Sequence, residues 1–367
     1  MNSNRSTPKR VIVVLGMHRS GTSVITRGLA ALGVTLGDRL MPPQPVNPKG
    51  FWEDLDVNEL NVQMLNAVGS DWHCLAPIEP EDVDALRDKG FLERAASLLR
   101  GKVCDSRVFG FKDPRVTKLL PVWNEVISQC GFEAAYVLTL RHPLSVVDSL
   151  THTMGFDADK TYALWLAHVI TSVAGTVGKN RVLVDYDLMM QAPERQLNRI
   201  ANHLKLEIDP EASHNYRFDF LDSALRHSVY SLQDLSLDSA CPALVREVYT
   251  SLLDVAVDQR TVDDVEVNAA CVRWARDLER SIWLLKQADR LYAKNLHLHR
   301  LAACSEKLII EHDDHIARLT KIVAERDAQI AILSETNLER GRLIQAFIDS
   351  MSWKLTKPLR ALRRLIT

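Results

Sequence analysis

Val11-Ile12-Val13-Val14-Leu15 is an unbroken apolar run closed by Gly16, the pattern of a strand buried on both faces of a parallel sheet. Beyond it, Val24, Ile25, Leu29 and Leu32 recur at helical spacing over Ser23 to Leu32, and Gly33 stands where a helix ends. Strand, glycine-bearing loop and helix open a βαβ unit. Apolar strands recur at Val108-Phe109-Gly110-Phe111, at Ala134 to Leu140 and at Arg181 to Asp185, with helical segments such as Thr161 to Thr176 between them. The alternation predicts an α/β fold with a mostly parallel central sheet covered by helices. Ligands of such sheets sit beyond the carboxyl ends of the strands, where Gly16, Lys112 and Arg141 all fall.

The Pro- and Gly-rich stretch Met41 to Gly50 excludes regular structure, and long loops of this kind are often functional. Between Cys271 and Gly341 glycine is absent and long charged side chains alternate with Leu and Ile, the texture of extended helix. From Ile316 a heptad runs through a positions Ile316, Val323, Ile330, Asn337, Ile344 and Met351 and d positions Leu319, Arg326, Leu333, Arg340 and Phe347. The two Arg weaken this seam, and the alternative reading is a solvent-exposed single helix packed on the body. The chain closes on Lys354, Lys357, Arg360, Arg363 and Arg364 without acidic neighbours, beside Trp353, Leu355, Leu359, Leu362, Leu365 and Ile366. That combination fits either a solvated basic tail or a helix lying on an anionic membrane surface. The expected division is a disordered segment over 1–9, a catalytic α/β domain over 10–265, a helical or coiled-coil region over 270–350 and the basic amphipathic tail over 351–367.

Lys+Arg total 45 against 47 Asp+Glu, so no global field favours nucleic acid, and any charge effect is local. Apolar residues at 46% supply a packed core. The six cysteines are scattered without zinc-ligand spacing, which fits free thiols in a reducing cytoplasm and predicts no metal. His297, His299, His312 and His315 lie in the helical region, with no carboxylate cluster to complete a metal site. No window approaches the roughly 20 apolar residues of a spanning helix, so the expectation is a cytoplasmic protein, with the tail as its one route to peripheral membrane contact.

The loop Gly16-Met17-His18-Arg19-Ser20-Gly21-Thr22-Ser23 matches the phosphate-binding pattern G-x-x-x-x-G-K-[ST] at Gly16, Gly21 and Ser23, but Thr22 stands where the lysine belongs. Triphosphate chemistry relies on that lysine together with Mg²⁺. Here the cation has moved to Arg19, a bidentate donor, while the N–H groups from Ser20 to Ser23 and the helix terminus they begin still form an anion cradle. His18 inside this loop reads as structural.

Arg19-Ser20-Gly21-Thr22-Ser23 resembles the 5′-phosphosulfate loop of the sulfotransferases that use 3′-phosphoadenosine 5′-phosphosulfate, with Arg in place of the usual Lys. Arg141, at a strand end, and Ser149, eight positions later, resemble the pair with which that family grips the 3′-phosphate. Asn47 to Glu53, Phe111 to Arg115 and Asp185 to Leu188 look like stretches of its bacterial members, and the likeness spans roughly Arg10 to Leu206. The resemblance implies a P-loop NTPase-like three-layer fold. It also implies transfer of a sulfuryl group to a hydroxyl of a carbohydrate or glycolipid.

Sulfuryl transfer needs charge stabilisation at the leaving group, for which Arg19 and Lys112 are the candidates, and a base for the acceptor hydroxyl. In one branch of the family the base is a His two residues after a Lys, whereas Lys112 is followed by Asp113 and Pro114. Other branches use a glutamate, which makes Glu53 the first choice and Asp113 the second. Asp113 also reads as an ion-pair partner of Arg115 or a turn residue before Pro114. Arg226 and His227 are read as late basic contacts to the nucleotide. Two other readings stand beside this one: a kinase with a degenerate phosphate loop, and a non-enzymatic scaffold whose functional part is a homo-oligomeric coiled coil.

Overall fold

The computed structural model describes residues 9–44, 47–222 and 228–364, with side chains described as far as Arg360. Arg226 and His227 lie outside these residues, as do residues 1–8 of the segment expected to be disordered. So do the tail side chains of Leu362, Arg363, Arg364, Leu365 and Ile366. The chain divides into two compact units, Met1–Arg290 and Leu291–Thr367.

Four strands, β1 (Arg10–Leu15), β2 (Val108–Lys112), β3 (Glu133–Leu140) and β4 (Asn180–Asp185), form one sheet in the order β2-β1-β3-β4. Every pairing is parallel, with Ile12 opposite both Gly110 and Ala135, and Val137 opposite Val182. The continuous apolar runs follow from burial on both faces. On one, Ile12, Val14, Val137 and Val184 pack against Ile25 and Leu29 of α1 (Thr22–Ala30) and against Leu197, Ile200 and Leu204 of the helix Pro193–Leu204. On the other, Val13, Tyr136 and Leu138 are buried and Phe111 meets Trp123 with ring centroids 4.9 Å apart. Each such side chain contributes on the order of 2 kcal/mol. A parallel sheet with helices on both faces is the three-layer arrangement expected.

This order brings four loops to one rim. β1 runs into the Gly16–Ser23 loop, β2 ends at Lys112, β3 precedes Arg141 and β4 ends at Asp185. Helix α2 (Leu55–Ala67) starts where Asp54 accepts from the N–H groups of Asp56 and Val57, which fixes Glu53 immediately before it. Gly33, with φ 70°, closes the turn after α1.

In the C-terminal third, Val265–Arg280 and Ile282–Asp349 are helical, followed by Met351–Leu355 and Lys357–Arg364. From Ala293 to Asp349 every residue is exposed, the heptad positions included. No helix among the described residues is long and apolar enough to cross a membrane.

Candidate active site

The phosphate loop turns through two left-handed residues, Arg19 (φ 68°) and Gly21 (φ 82°). Gly21 is required twice over, because besides its φ a Cβ there would lie 2.1 Å from the Tyr186 ring. Helix α1 begins at Thr22 without a side-chain cap and with no acid in its first turn. Its first bond inward runs from Val24 N–H to the Gly21 carbonyl, leaving the N–H groups of Thr22 and Ser23 ahead of the ladder at the positive end of the helix dipole. The loop's own shape is held by Gly16 N–H donating to Thr117 Oγ1 at 3.2 Å and Ser20 N–H donating to the Met17 carbonyl at 3.2 Å.

Two motifs far apart in sequence meet at this loop. Arg19 Nε donates to Ser149 Oγ at 2.8 Å, and Arg141 donates to the Arg19 carbonyl at 2.6 Å while its guanidinium lies 4.5 Å from the Tyr186 ring centroid. Burial first, and then the neighbouring Arg141, lowers the pKa of Arg19. Ser145, one turn before Ser149, has a buried hydroxyl with no hydrogen-bond partner among the described residues.

On the other side of α1's N-terminus, buried Lys112 donates to Glu53 Oε1 at 2.7 Å and to Ser23 Oγ at 3.3 Å. Asn58 donates to Glu53 Oε2 at 3.0 Å. Burial raises the pKa of the Glu53 carboxyl, Lys112 opposes that shift and Asp113 adds to it. Asp113 is placed otherwise: it accepts from Asn58 (3.3 Å), Asn61 (3.0 Å), Arg115 N–H (2.9 Å) and the Arg115 guanidinium (3.1 Å). Those four donors occupy the carboxylate that was the second choice for the base.

These groups surround a cavity of about 820 Å³. Of the described residues read from the sequence as site residues, all but Ser20 and Asp113 line it, Arg226 and His227 lying outside the described residues. His18 also lines it, with its ring against Trp72 at 4.1 Å and its pKa lowered by burial and then by Arg115. The sequence reading missed Tyr186, Ser145 and the Asn58–Asn61 pair. The pair had a legible signal in two Asn one turn apart on the helix that follows Glu53.

Three acids, Asp38, Asp54 and Asp56, converge elsewhere among the described residues, and the Lys102 ammonium pairs with all three.

A model described as the sulfotransferase family matches residues 11–210, more than half of the chain, and the chain belongs to that family. It is a transferase by that membership. Among solved structures, the sulfotransferase domain from the Synechococcus PCC 7002 olefin synthase is 18% identical, covering 69% of this chain and 98% of its own with a TM-score of 0.42. A Mycobacterium tuberculosis sulfotransferase is 15% identical, covering 66% and 77% with a TM-score of 0.35. Retinol dehydratase, solved in complex with androsterone and the inactive cofactor PAP, is 14% identical, covering 74% and 81% with a TM-score of 0.29. No curated protein matches the chain.

Proposed function

We propose that this sulfotransferase takes its sulfuryl group from 3′-phosphoadenosine 5′-phosphosulfate and passes it to a hydroxyl of a carbohydrate or glycolipid. The observation that carries the donor is the meeting of Arg19, Arg141 and Ser149 at an uncapped, acid-free helix terminus. That arrangement suits an anion at each end of a nucleotide, and Ser145 offers a further buried donor inside the same cavity. Lys112 and Arg19 stabilise charge on the departing phosphate. Glu53, poised against Lys112, takes the proton as the acceptor oxygen bonds to sulfur and the bond from sulfur to the bridging oxygen breaks.

The acceptor class rests on the likeness of Asn47 to Glu53 and Phe111 to Arg115 to bacterial members of the family, and on the basic tail. In this reading the heptad helix pairs with a second copy of the chain and the tail touches anionic lipid at the inner face of the membrane.

The test is calorimetry with adenosine 3′,5′-bisphosphate, with and without EDTA, on the wild type and on Arg141→Ala. Binding that ignores EDTA and is lost in the variant is the expected result. Tight binding of Mg-ATP alone would replace the reading with a kinase. Transfer of labelled sulfate to a panel of carbohydrates, glycolipids and phenols tests the acceptor, and labelling confined to phenols overturns that part.

A further inference from the structure

The turn at Asp71 to Ala76 touches the phosphate loop at one end and the C-terminal third at the other. The Trp72 ring lies 4.1 Å from the His18 ring, tilted to it, and stacks on the Phe156 ring at 5.8 Å. The backbone just after it is held by charges. Lys118 donates to the Cys74 and Ala76 carbonyls, each at 2.7 Å, and Asp289 accepts from the N–H groups of Leu75 (2.7 Å) and Ala76 (3.0 Å). Lys286 pairs with Glu79 just beyond. Asp289 and Lys286 both lie on Ile282–Asp349, past residue 210 where the family match ends.

We propose that Asp289 is a positioning residue for the phosphate loop, acting through the 71–76 turn and the ring contact of Trp72 with His18. The argument is one of connectivity. A non-glycine held left-handed, as Arg19 is, keeps that conformation only where its surroundings over-determine it, and His18 is adjacent to Arg19. Trp72 is part of those surroundings through its ring contact with His18. Trp72 sits on a turn without regular structure; inside it Trp72 N–H donates to Asp71 Oδ1 at 2.6 Å and Cys74 N–H to the Asp71 carbonyl at 3.2 Å, and Lys118 and Asp289 add bonds from distant segments. A carboxylate accepting two backbone N–H groups makes charge-assisted bonds, the strong kind. Without Asp289 the turn keeps Lys118 and its internal Asp71 bonds but loses the Leu75 and Ala76 amide contacts, so the segment after Trp72 loosens and the Trp72–His18 contact weakens.

The inference rests on the reading of the loop as the donor's phosphate site, and the test separates the two. Hydrogen exchange and calorimetry with adenosine 3′,5′-bisphosphate are run on full-length wild type, Asp289→Ala, Asp289→Asn, Trp72→Ala and the Asp289→Ala/Trp72→Ala double variant. Asp289→Ala is expected to expose the Leu75 and Ala76 amides and those from His18 to Gly21 while β1 to β4 exchange as in the wild type. Affinity should fall roughly tenfold in it and in Trp72→Ala, with no further loss in the double variant, the signature of coupled sites. Asp289→Asn, which keeps an acceptor, should fall between. Unchanged affinity in Asp289→Ala, or additive losses in the double variant, overturns the proposal. A wild type that does not bind the nucleotide overturns the donor reading instead; the coupling is then decided by the His18 to Gly21 amides, whose unchanged exchange in Asp289→Ala refutes it. If Asp289→Ala loses sheet protection, Asp289→Asn decides by the same criteria.

Discussion

Arg19 Nε donates to Ser149 Oγ across 2.8 Å, joining the loop after the first strand to a helix 130 residues later. The bond presents the hydroxyl and the guanidinium together, and Arg141 completes the group by donating to the Arg19 carbonyl. Arg141→Ala removes a part-buried cation from an anion site and should weaken adenosine 3′,5′-bisphosphate by about a hundredfold or more in calorimetry. Ser149→Ala should weaken it by about tenfold or less, since a neutral donor is worth about 1 kcal/mol. Arg141→Lys should not restore affinity, because a lysine lacks the planar fork. Equal affinity in Arg141→Ala and wild type would remove the second anchor.

Glu53 and Lys112 form the other half of the site at 2.7 Å. Glu53→Gln should leave nucleotide affinity near wild type and lower turnover by at least about a hundredfold. The base works only when ionised, so activity rises with pH through its pKa. Because burial raises that pKa, the acidic limb of kcat/KM should lie above the ordinary carboxylate range and vanish in Glu53→Gln. A limb that persists in the variant assigns the proton to another group.

Gly21 tests the packing that shapes the loop. Its φ of 82° and the 2.1 Å approach of an added Cβ to the Tyr186 ring make Gly21→Ala a double offence. The variant should lose nucleotide binding. Adding Tyr186→Ala should relieve the clash but not the backbone strain, restoring stability only in part. Full recovery in urea unfolding would show that sterics alone demand the glycine.

Much of this was legible in the sequence because it is local. The β-branched run Val11 to Leu15 marks a two-face-buried strand, and Gly16 to Ser23 and Arg141 to Ser149 mark the rim at fixed spacing. Tyr186 and Ser145 were not legible as site residues, nor was the proposed role of Trp72. Each acts through a partner distant in sequence: Tyr186 through Gly21 and Arg141, Ser145 through a cavity closed by other segments, and Trp72 through His18. Asp113 shows the same limit from the other side. Lying one residue from Lys112 it read as a second-choice base or as an ion-pair partner of Arg115; the pair with Arg115 is formed, while Asn61, distant in sequence, is the partner that could not be read.

Asp185, at the end of β4, has its pKa raised to about 7 by burial. A carboxyl whose folded pKa exceeds its unfolded value binds protons more tightly in the native state, so its contribution to stability is full below the unfolded pKa and is lost as pH rises to about 7. Asp185→Asn keeps the carbonyl that caps Leu188 N–H and removes the titration. The difference in urea midpoint between variant and wild type should therefore grow in the variant's favour from about pH 4 to pH 7, by at most about 1.4 kcal/mol per pH unit. A difference that does not change with pH would place the titration elsewhere.

The helix Ile282–Asp349 carries its heptad side chains in the open, with Ile316, Val323, Ile330 and Leu333 each between 58% and 62% exposed. A second copy of the same helix would cover them, and Asn337 at an a position favours a two-stranded, in-register pairing. Arg326 and Arg340 stand at d positions of that seam. Replacing both with Leu should tighten association, and Asn337→Ile should shift it toward three or more strands. Sedimentation equilibrium of full-length wild type and of the chain ending before Ile316 checks the premise. A dimer that becomes a monomer on truncation is expected, and a monomeric wild type would refute the seam.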